Sequence, residues 1–260
     1  MNKSRNKTFL LPIVLLMIGF TNVSLAAIKW TFAGANSWAA QASFGASGDP
    51  GPNVTVKSWY NATTGYLTPG YIKSWSGGLG VCGGTEICST TTPPPPEHAM
   101  DNSPSGAVES LVLDFGASAS IVLKAITLGW AYTDSDITVL AFRGQGDPNL
   151  SGSKKYQDLI AGGWALVSQA ATKNITTTYN AAGSYSTPNT FNSGNIASRY
   201  WLIGAYNSLI TGNGNGANDT TLDYVKLASV SGVRAVPEPS TWLLLAPGLL
   251  LLRPRRTSAP

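Results

Sequence analysis

One histidine serves the whole chain of 260 residues, and it stands in the stretch Pro96-Glu97-His98-Ala99-Met100-Asp101-Asn102. Glu97, His98 and Asp101 are the residue types that move protons or hold metals. The histidine count limits both uses. A zinc site built on two histidines is excluded, and a Ser-His-Asp triad would have to recruit His98 without a glycine-framed serine as its nucleophile. The alternative is that His98 and Asp101 order the loop after the prolines, in keeping with the turn and capping habits of Asp and Asn.

Oxygen ligands point to calcium as the metal to consider. Asp101, Asn102 and the distant Asp223, with backbone carbonyls, would suit a structural Ca2+ of the kind found in extracellular modules. Asp134-Ser135-Asp136 offers a second carboxylate spacing, which on a hairpin faces solvent. Glycoside hydrolysis needs two carboxyl groups at a set separation in space. Glu86, Glu97, Glu109 and several aspartates are available, and spacing along the chain does not choose between them. Trp59, Tyr60, Trp75, Trp130 and Trp164 could stack on sugar rings, or could simply pack a sheet.

The elements that must position these residues read as strands. Residues 28–32, 54–60, 108–115, 121–130, 137–142, 175–179, 199–206 and 222–230 are rich in β-branched and aromatic types with partial alternation. Turn clusters such as Gly212-Asn213-Gly214-Asn215-Gly216 separate them. One short helix is expected over 154–161, ended by Gly162-Gly163. Strands with almost no covering helices predict an all-β fold, an antiparallel β-sandwich of jelly-roll type. Thr91-Thr92-Pro93-Pro94-Pro95-Pro96 cannot lie inside a sheet, so it makes an exposed extended loop or divides two subdomains. Leu222–Leu227 is similar to the last strand of galactose-binding-like and carbohydrate-binding jelly rolls.

Both ends of the chain differ from its middle. Lys3, Arg5 and Lys7 precede an apolar run over 9–20 and the small residues Ser24-Leu25-Ala26-Ala27, the order of a secretory signal peptide cut between Ala26 and Ala27. At the other end Val236-Pro237-Glu238-Pro239-Ser240-Thr241-Trp242 leads into an apolar stretch to Leu252 and then Arg253, Arg255 and Arg256. As a helix, that stretch rises about 16 Å against roughly 30 Å of hydrocarbon, too short to span comfortably. The arginines sit where positive charge holds an end on the cytoplasmic side. The two prolines keep Glu238 in an extended segment open to a protease.

Residues 236–260, in this order, resemble the PEP-CTERM sorting signal of exopolysaccharide-producing Gram-negative bacteria. The resemblance implies that an exosortase recognises Pro237-Glu238-Pro239 at the inner membrane, where a C-terminal hydrophobic helix holds the chain transiently, and delivers the protein to the cell surface or matrix. The apolar block is shorter than that family's usual one. The stretch around His98 is also similar to a set of exosortase-dependent surface proteins.

Export sets the remaining expectations. Cys82 and Cys88, the two cysteines of the chain, would enter an oxidising compartment and pair, with Gly83-Gly84 letting the loop bend. The net charge of +4 belongs to the ends. Removing them leaves eleven basic and twelve acidic residues over 27–235, which gives no support for a nucleic-acid partner. The organisation expected is a signal peptide (1–26), a β-sandwich ectodomain (27–235) and a sorting signal (236–260). The function expected is a non-catalytic structural or interaction role in an exopolysaccharide or biofilm layer. A carbohydrate-binding module and a secreted hydrolase using His98 or a carboxylate pair are the alternatives.

Overall fold

The computed structural model of the chain describes residues 27–32, 34, 38–48, 50–84, 86, 88, 98–103, 107–168, 185–186, 191–210 and 222–235. The signal-peptide region through Ala26, the proline run with Glu97, the expected strand over 175–179 and the tail with Pro237, Glu238, Pro239, Arg253, Arg255 and Arg256 lie outside the described residues.

In chain order the strands are β1 (Ile28–Thr31), β2 (Trp38–Ala39), β3 (Gln41–Phe44), β4 (Ala46–Gly48), β5 (Val54–Asn61), β6 (Leu67–Pro69), β7 (Tyr71–Trp75), β8 (Gly78–Cys82) and β9 (Met100–Asp101). They continue as β10 (Glu109–Asp114), β11 (Ile121–Thr133), β12 (Ile137–Phe142), β13 (Trp164–Ser168), β14 (Tyr185–Ser186), β15 (Ala197–Ser198), β16 (Tyr200–Ala205) and β17 (Asp223–Arg234). They form two antiparallel sheets of ten and seven strands, an all-β sandwich. The larger sheet runs β14-β11-β17-β8-β7-β2 and the smaller β13-β12-β16-β10-β5-β3.

With the short β9 and β15 set aside, the chain from β8 onward makes four nested pairs: β8 with β17, β10 with β16, β11 with β14, and β12 with β13. The pairs alternate between sheets, as though one long antiparallel hairpin had been folded over on itself. β5 and β8 precede the proline run, yet β5 pairs with β10 and β8 with β17. Strands from both sides of the run therefore share each sheet, and no boundary between subdomains falls there.

The core follows from alternation. Successive side chains leave opposite faces of a strand, and β1 shows it directly, with Ile28 and Trp30 buried while Lys29 and Thr31 are exposed. Trp30, Val56, Leu111, Leu113, Ile126, Val139, Trp201 and Leu227 meet between the sheets. Burying one such side chain contributes about 2 kcal/mol. The Trp201 indole N–H, lost to water, donates to the carbonyls of Ile121 and Ser198, each at 3.2 Å.

β12 and β16 are buried on both faces, because a second apolar layer covers the smaller sheet from outside. The expected helix contributes to that layer but shrinks to a 3-10 turn over Tyr156–Asp158. Asp158 caps it by accepting the Lys155 N–H at 2.9 Å. The turn is held by its docking: Tyr156 is buried and its hydroxyl lies 2.8 Å from that of Ser110. The β7–β8 hairpin escapes a propensity reading because β8 is Gly78-Leu79-Gly80-Val81-Cys82, poor in β-branched residues yet buried throughout. Gly78 lies at φ 118°, where a Cβ would stand 2.3 Å from the Leu227 carbonyl oxygen. Among the described residues no helix is long and apolar enough to cross a membrane.

Candidate functional site

On the face of the larger sheet turned away from the core, five side chains from four strands form an alternating row. β7 buries Ile72 inward and sends Lys73 and Trp75 outward, and β17 does the same with Val225 and Leu227 against Lys226. Register places Trp38 of β2 beside Lys73 and Trp130 of β11 beside Lys226. The Lys73 ammonium stands 4.3 Å from the Trp38 ring centre and 5.0 Å from that of Trp75. The Lys226 ammonium stands 4.8 Å from both Trp75 and Trp130. Each step is a cation–π contact, worth about 0.5–1 kcal/mol at exposed sites and more where water is excluded. Trp130 continues into Tyr132, stacked at 6.2 Å.

His98 sits on this row and is fully buried. Its ring meets Trp38 edge-on at 4.7 Å and stacks on Trp75 at 6.5 Å. The close approach depends on Gly80 beneath it, where a Cβ would lie 1.7 Å from the His98 carbonyl oxygen. The backbone of His98 is itself in the left-handed region, at φ 62°. Glu86 holds it there, accepting the His98 N–H with one carboxylate oxygen and the Gly83 N–H with the other, both at 3.3 Å. Among the described residues neither ring nitrogen of His98 has a hydrogen-bond partner, and neither does the buried Trp75 indole N–H. Burial, then Lys226 and Lys73, push the His98 pKa down to about 4, so the ring is neutral at pH 7. Burial and the nearby Lys73 push Lys226 down to about 8 against the pull of Glu86.

Cys82 and Cys88 form a disulfide, with Cα atoms 5.7 Å apart. The bridge closes the loop that carries Glu86. It also removes Cys82 as a metal ligand from the neighbourhood of Glu86 and His98, leaving fewer donors than zinc requires.

Compared with family models, with curated proteins and with solved structures, the chain matches none of them.

Three carboxylates converge elsewhere. Asp134, Asp136 and Asp223 are all buried, with oxygen atoms within 4.8 Å of one another. Asp134 and Asp136 do not face solvent as a hairpin would have them. Thr133 ends β11 at φ 59° and turns the chain inward, and Asp134 bridges to Asp223. The Asp136 N–H donates to Asp223 at 2.7 Å. An oxygen-only set of this kind has the chemistry of a calcium site; it joins Asp223 of the expected set Asp101, Asn102 and Asp223 to the two carboxylates of the second spacing, Asp134 and Asp136. Asn102 is occupied in bracing: its amide donates to Asp223 and to the Tyr206 carbonyl, and its oxygen accepts the Asp223 N–H. Asp101 pairs with Tyr224, one residue out of step with Asp223. Its carboxylate accepts the Ser103 N–H instead, and burial raises its pKa to about 6.

Glu109 is buried on the first residue of β10, and burial, with Asp101 and Glu86 adding repulsion, holds its carboxyl well above the usual range. The expected aromatics divide between layers. Trp75 and Trp130 belong to the outer row, whereas Trp59 and Trp164 pack in the layer over the smaller sheet. That sheet carries a depression of about 230 Å3 lined by Lys57, Trp59, Asp114, Asp147 and Tyr200. Arg199 ties its two acids together, at 2.7 Å to Asp114 and 2.8 Å to Asp147. Lys73, Lys226 and Trp38 were not singled out by sequence reasoning. The Lys73-Ser74-Trp75 alternation is the visible part of the signal, and the remainder lies in the register between strands.

Proposed function

We propose that the chain is an exported cell-surface or extracellular-matrix protein, released through an exosortase acting at Pro237-Glu238-Pro239, with a non-catalytic structural or interaction role in an exopolysaccharide or biofilm layer. The observation that carries this reading is the order of tripeptide, apolar block and arginine cluster behind a signal-peptide pattern. The Cys82–Cys88 disulfide agrees with an oxidising destination. The displayed unit is read as a jelly roll, because the four nested strand pairs alternating between two sheets are the connectivity that a double Greek key requires.

A non-catalytic role is supported by where the candidate groups sit. His98, on which a histidine-based hydrolase would depend, is walled in, and Asp114 and Asp147 are held by Arg199. Carbohydrate binding is the second reading, favoured by the half-buried Trp38, Trp75 and Trp130 lined up on one face. Mass spectrometry of the protein recovered from its own host tests the main reading. The expected product begins at Ala27 and ends near Pro239, and Glu238→Ala retains the tail. An intact chain from Met1 to Pro260 in the cytosol sinks it.

A further inference from the structure

The outer row has more hydrogen-bond donors than acceptors. Lys73 and Lys226 bring ammonium groups and make no ion pair among the described residues. Among the described residues the buried Trp75 indole N–H has no acceptor, and His98, at 0% exposure, has no partner at either ring nitrogen. A buried donor left unmade costs about 1–3 kcal/mol, and native proteins keep few of them. Glu86 is the acid facing this spot, and its two carboxylate oxygens already accept the backbone N–H groups of Gly83 and His98. What fits such a place is a ligand that brings its own acceptors and a negative charge.

We propose that the row from Trp38 to Trp130 is an anion site that takes a uronic acid unit, with the carboxylate at the half-buried Lys226 ammonium, in the field of the buried Lys73, and the apolar face of the sugar ring against the indoles. The polysaccharide source rests on the surface-layer reading above; the anion chemistry rests on the geometry alone. Trp38, Trp75, Lys226 and Trp130, all half-buried, form the surface that a sugar would touch, and Lys73 and His98 lie buried directly beneath it. Charge favours an acidic sugar over a neutral one. The two ammonium groups already hold ring faces at 4.3 to 5.0 Å, so a neutral sugar would have to displace them without replacing their electrostatic partner. Burial is the main cause of the lowered pKa of both groups, and the positive neighbours add to it, Lys226 and Lys73 on His98 and Lys73 on Lys226, a repulsion that an anion would relieve.

The chain has one histidine, so the imidazole signals in an NMR spectrum of the whole protein report this site without ambiguity. Trigalacturonate, maltotriose and sodium acetate are titrated separately at constant ionic strength. The expected result is a saturable shift of the His98 ring signals with trigalacturonate, none with maltotriose, and weaker binding of acetate. Lys226→Gln, checked for an unchanged fold by circular dichroism, weakens trigalacturonate binding about tenfold, the loss of one charge-assisted hydrogen bond. Trp130→Ala, a second variant in case the first fails to fold, removes the preference for the uronate over acetate. No shift with trigalacturonate, an equal response to maltotriose, or undiminished binding in Lys226→Gln overturns the anion site, and acetate binding as tightly overturns the sugar assignment. Binding with an unprocessed tail would leave this site standing and sink the sorting reading; correct processing without binding would do the reverse.

Discussion

Asn102 and Asp223 hold each other twice, the Asn102 amide donating to the Asp223 carboxylate at 2.7 Å while its oxygen accepts the Asp223 N–H at 2.8 Å. The same amide reaches the Tyr206 carbonyl at 3.1 Å. One side chain thus joins the start of β17 to the end of β16 and to the segment after β9. Asn102→Ala removes one hydrogen bond each from the Asp223 carboxylate, the Asp223 N–H and the Tyr206 carbonyl, and each lost bond costs about 1 kcal/mol, more where a charge is involved. A loss of about 3 kcal/mol in urea denaturation is expected. Asn102→Asp is worse, because it adds a negative charge beside three buried carboxylates. A loss under 1 kcal/mol in Asn102→Ala would mean that the clasp does not brace the fold.

The buried acids and the buried histidine bend stability with pH in opposite directions. Glu109 has a raised pKa in the fold, so its contribution is full below the unfolded value and declines as pH rises through the folded one. Asp101, at about 6, acts in the same sense between about 4 and 6. His98 is depressed to about 4, so its contribution is present above about 6.5 and is lost as pH falls toward 4. Glu109→Gln should therefore gain stability relative to the parent as pH is raised from 5 to 8, with denaturation midpoints measured at each pH. A parent and variant that track one another across that range would remove Glu109 as a source of pH dependence.

Much of this architecture is legible in the sequence, and what is not has a common cause. The runs at 54–60, 121–130, 137–142 and 222–230 were readable because β-branched and aromatic residues concentrate there, and they are β5, β11, β12 and β17. β8 was not, since its glycines argue against a strand, while the full burial and the positive φ at Gly78 that make it one arise from what packs on it. The sites follow the same division. The chemistry of His98 and Asp223 was visible from residue type. Their companions were not: Lys73 and Lys226 meet through register across β7, β8 and β17, and Asp134 joins Asp223 through an inward turn at Thr133 that alternation cannot show.

Gly80 decides whether His98 can lie on the row. A methyl group there would stand 1.7 Å from the His98 carbonyl oxygen and 2.7 Å from its carbon, both backbone atoms, so the loop and not a side chain must move. Gly80→Ala is expected to be folded but destabilised by about 1–3 kcal/mol, the usual cost of overpacking. It should also release the imidazole into solvent. The measurable consequence is the His98 titration, which moves from about 4 toward the ordinary value near 6.5 as burial and the two lysines lose their hold. Retention of the low value in a destabilised variant would place the cause of the depression elsewhere.

The Cys82–Cys88 bridge closes a loop with a sequence separation of 6, and so short a closure should contribute only about 2 kcal/mol through chain entropy. Its larger consequence is local. Glu86 lies inside the loop, and its two hydrogen bonds tie Gly83 to His98. Reduction, or the double change of Cys82→Ser with Cys88→Ser, frees that loop and loosens the support under the imidazole. The sandwich should remain folded, with its unfolding free energy lowered by about 2 kcal/mol in urea denaturation, while the His98 ring signals broaden or shift in NMR. Signals left unchanged after reduction would show that β9 and Gly80 position His98 without help from the disulfide loop.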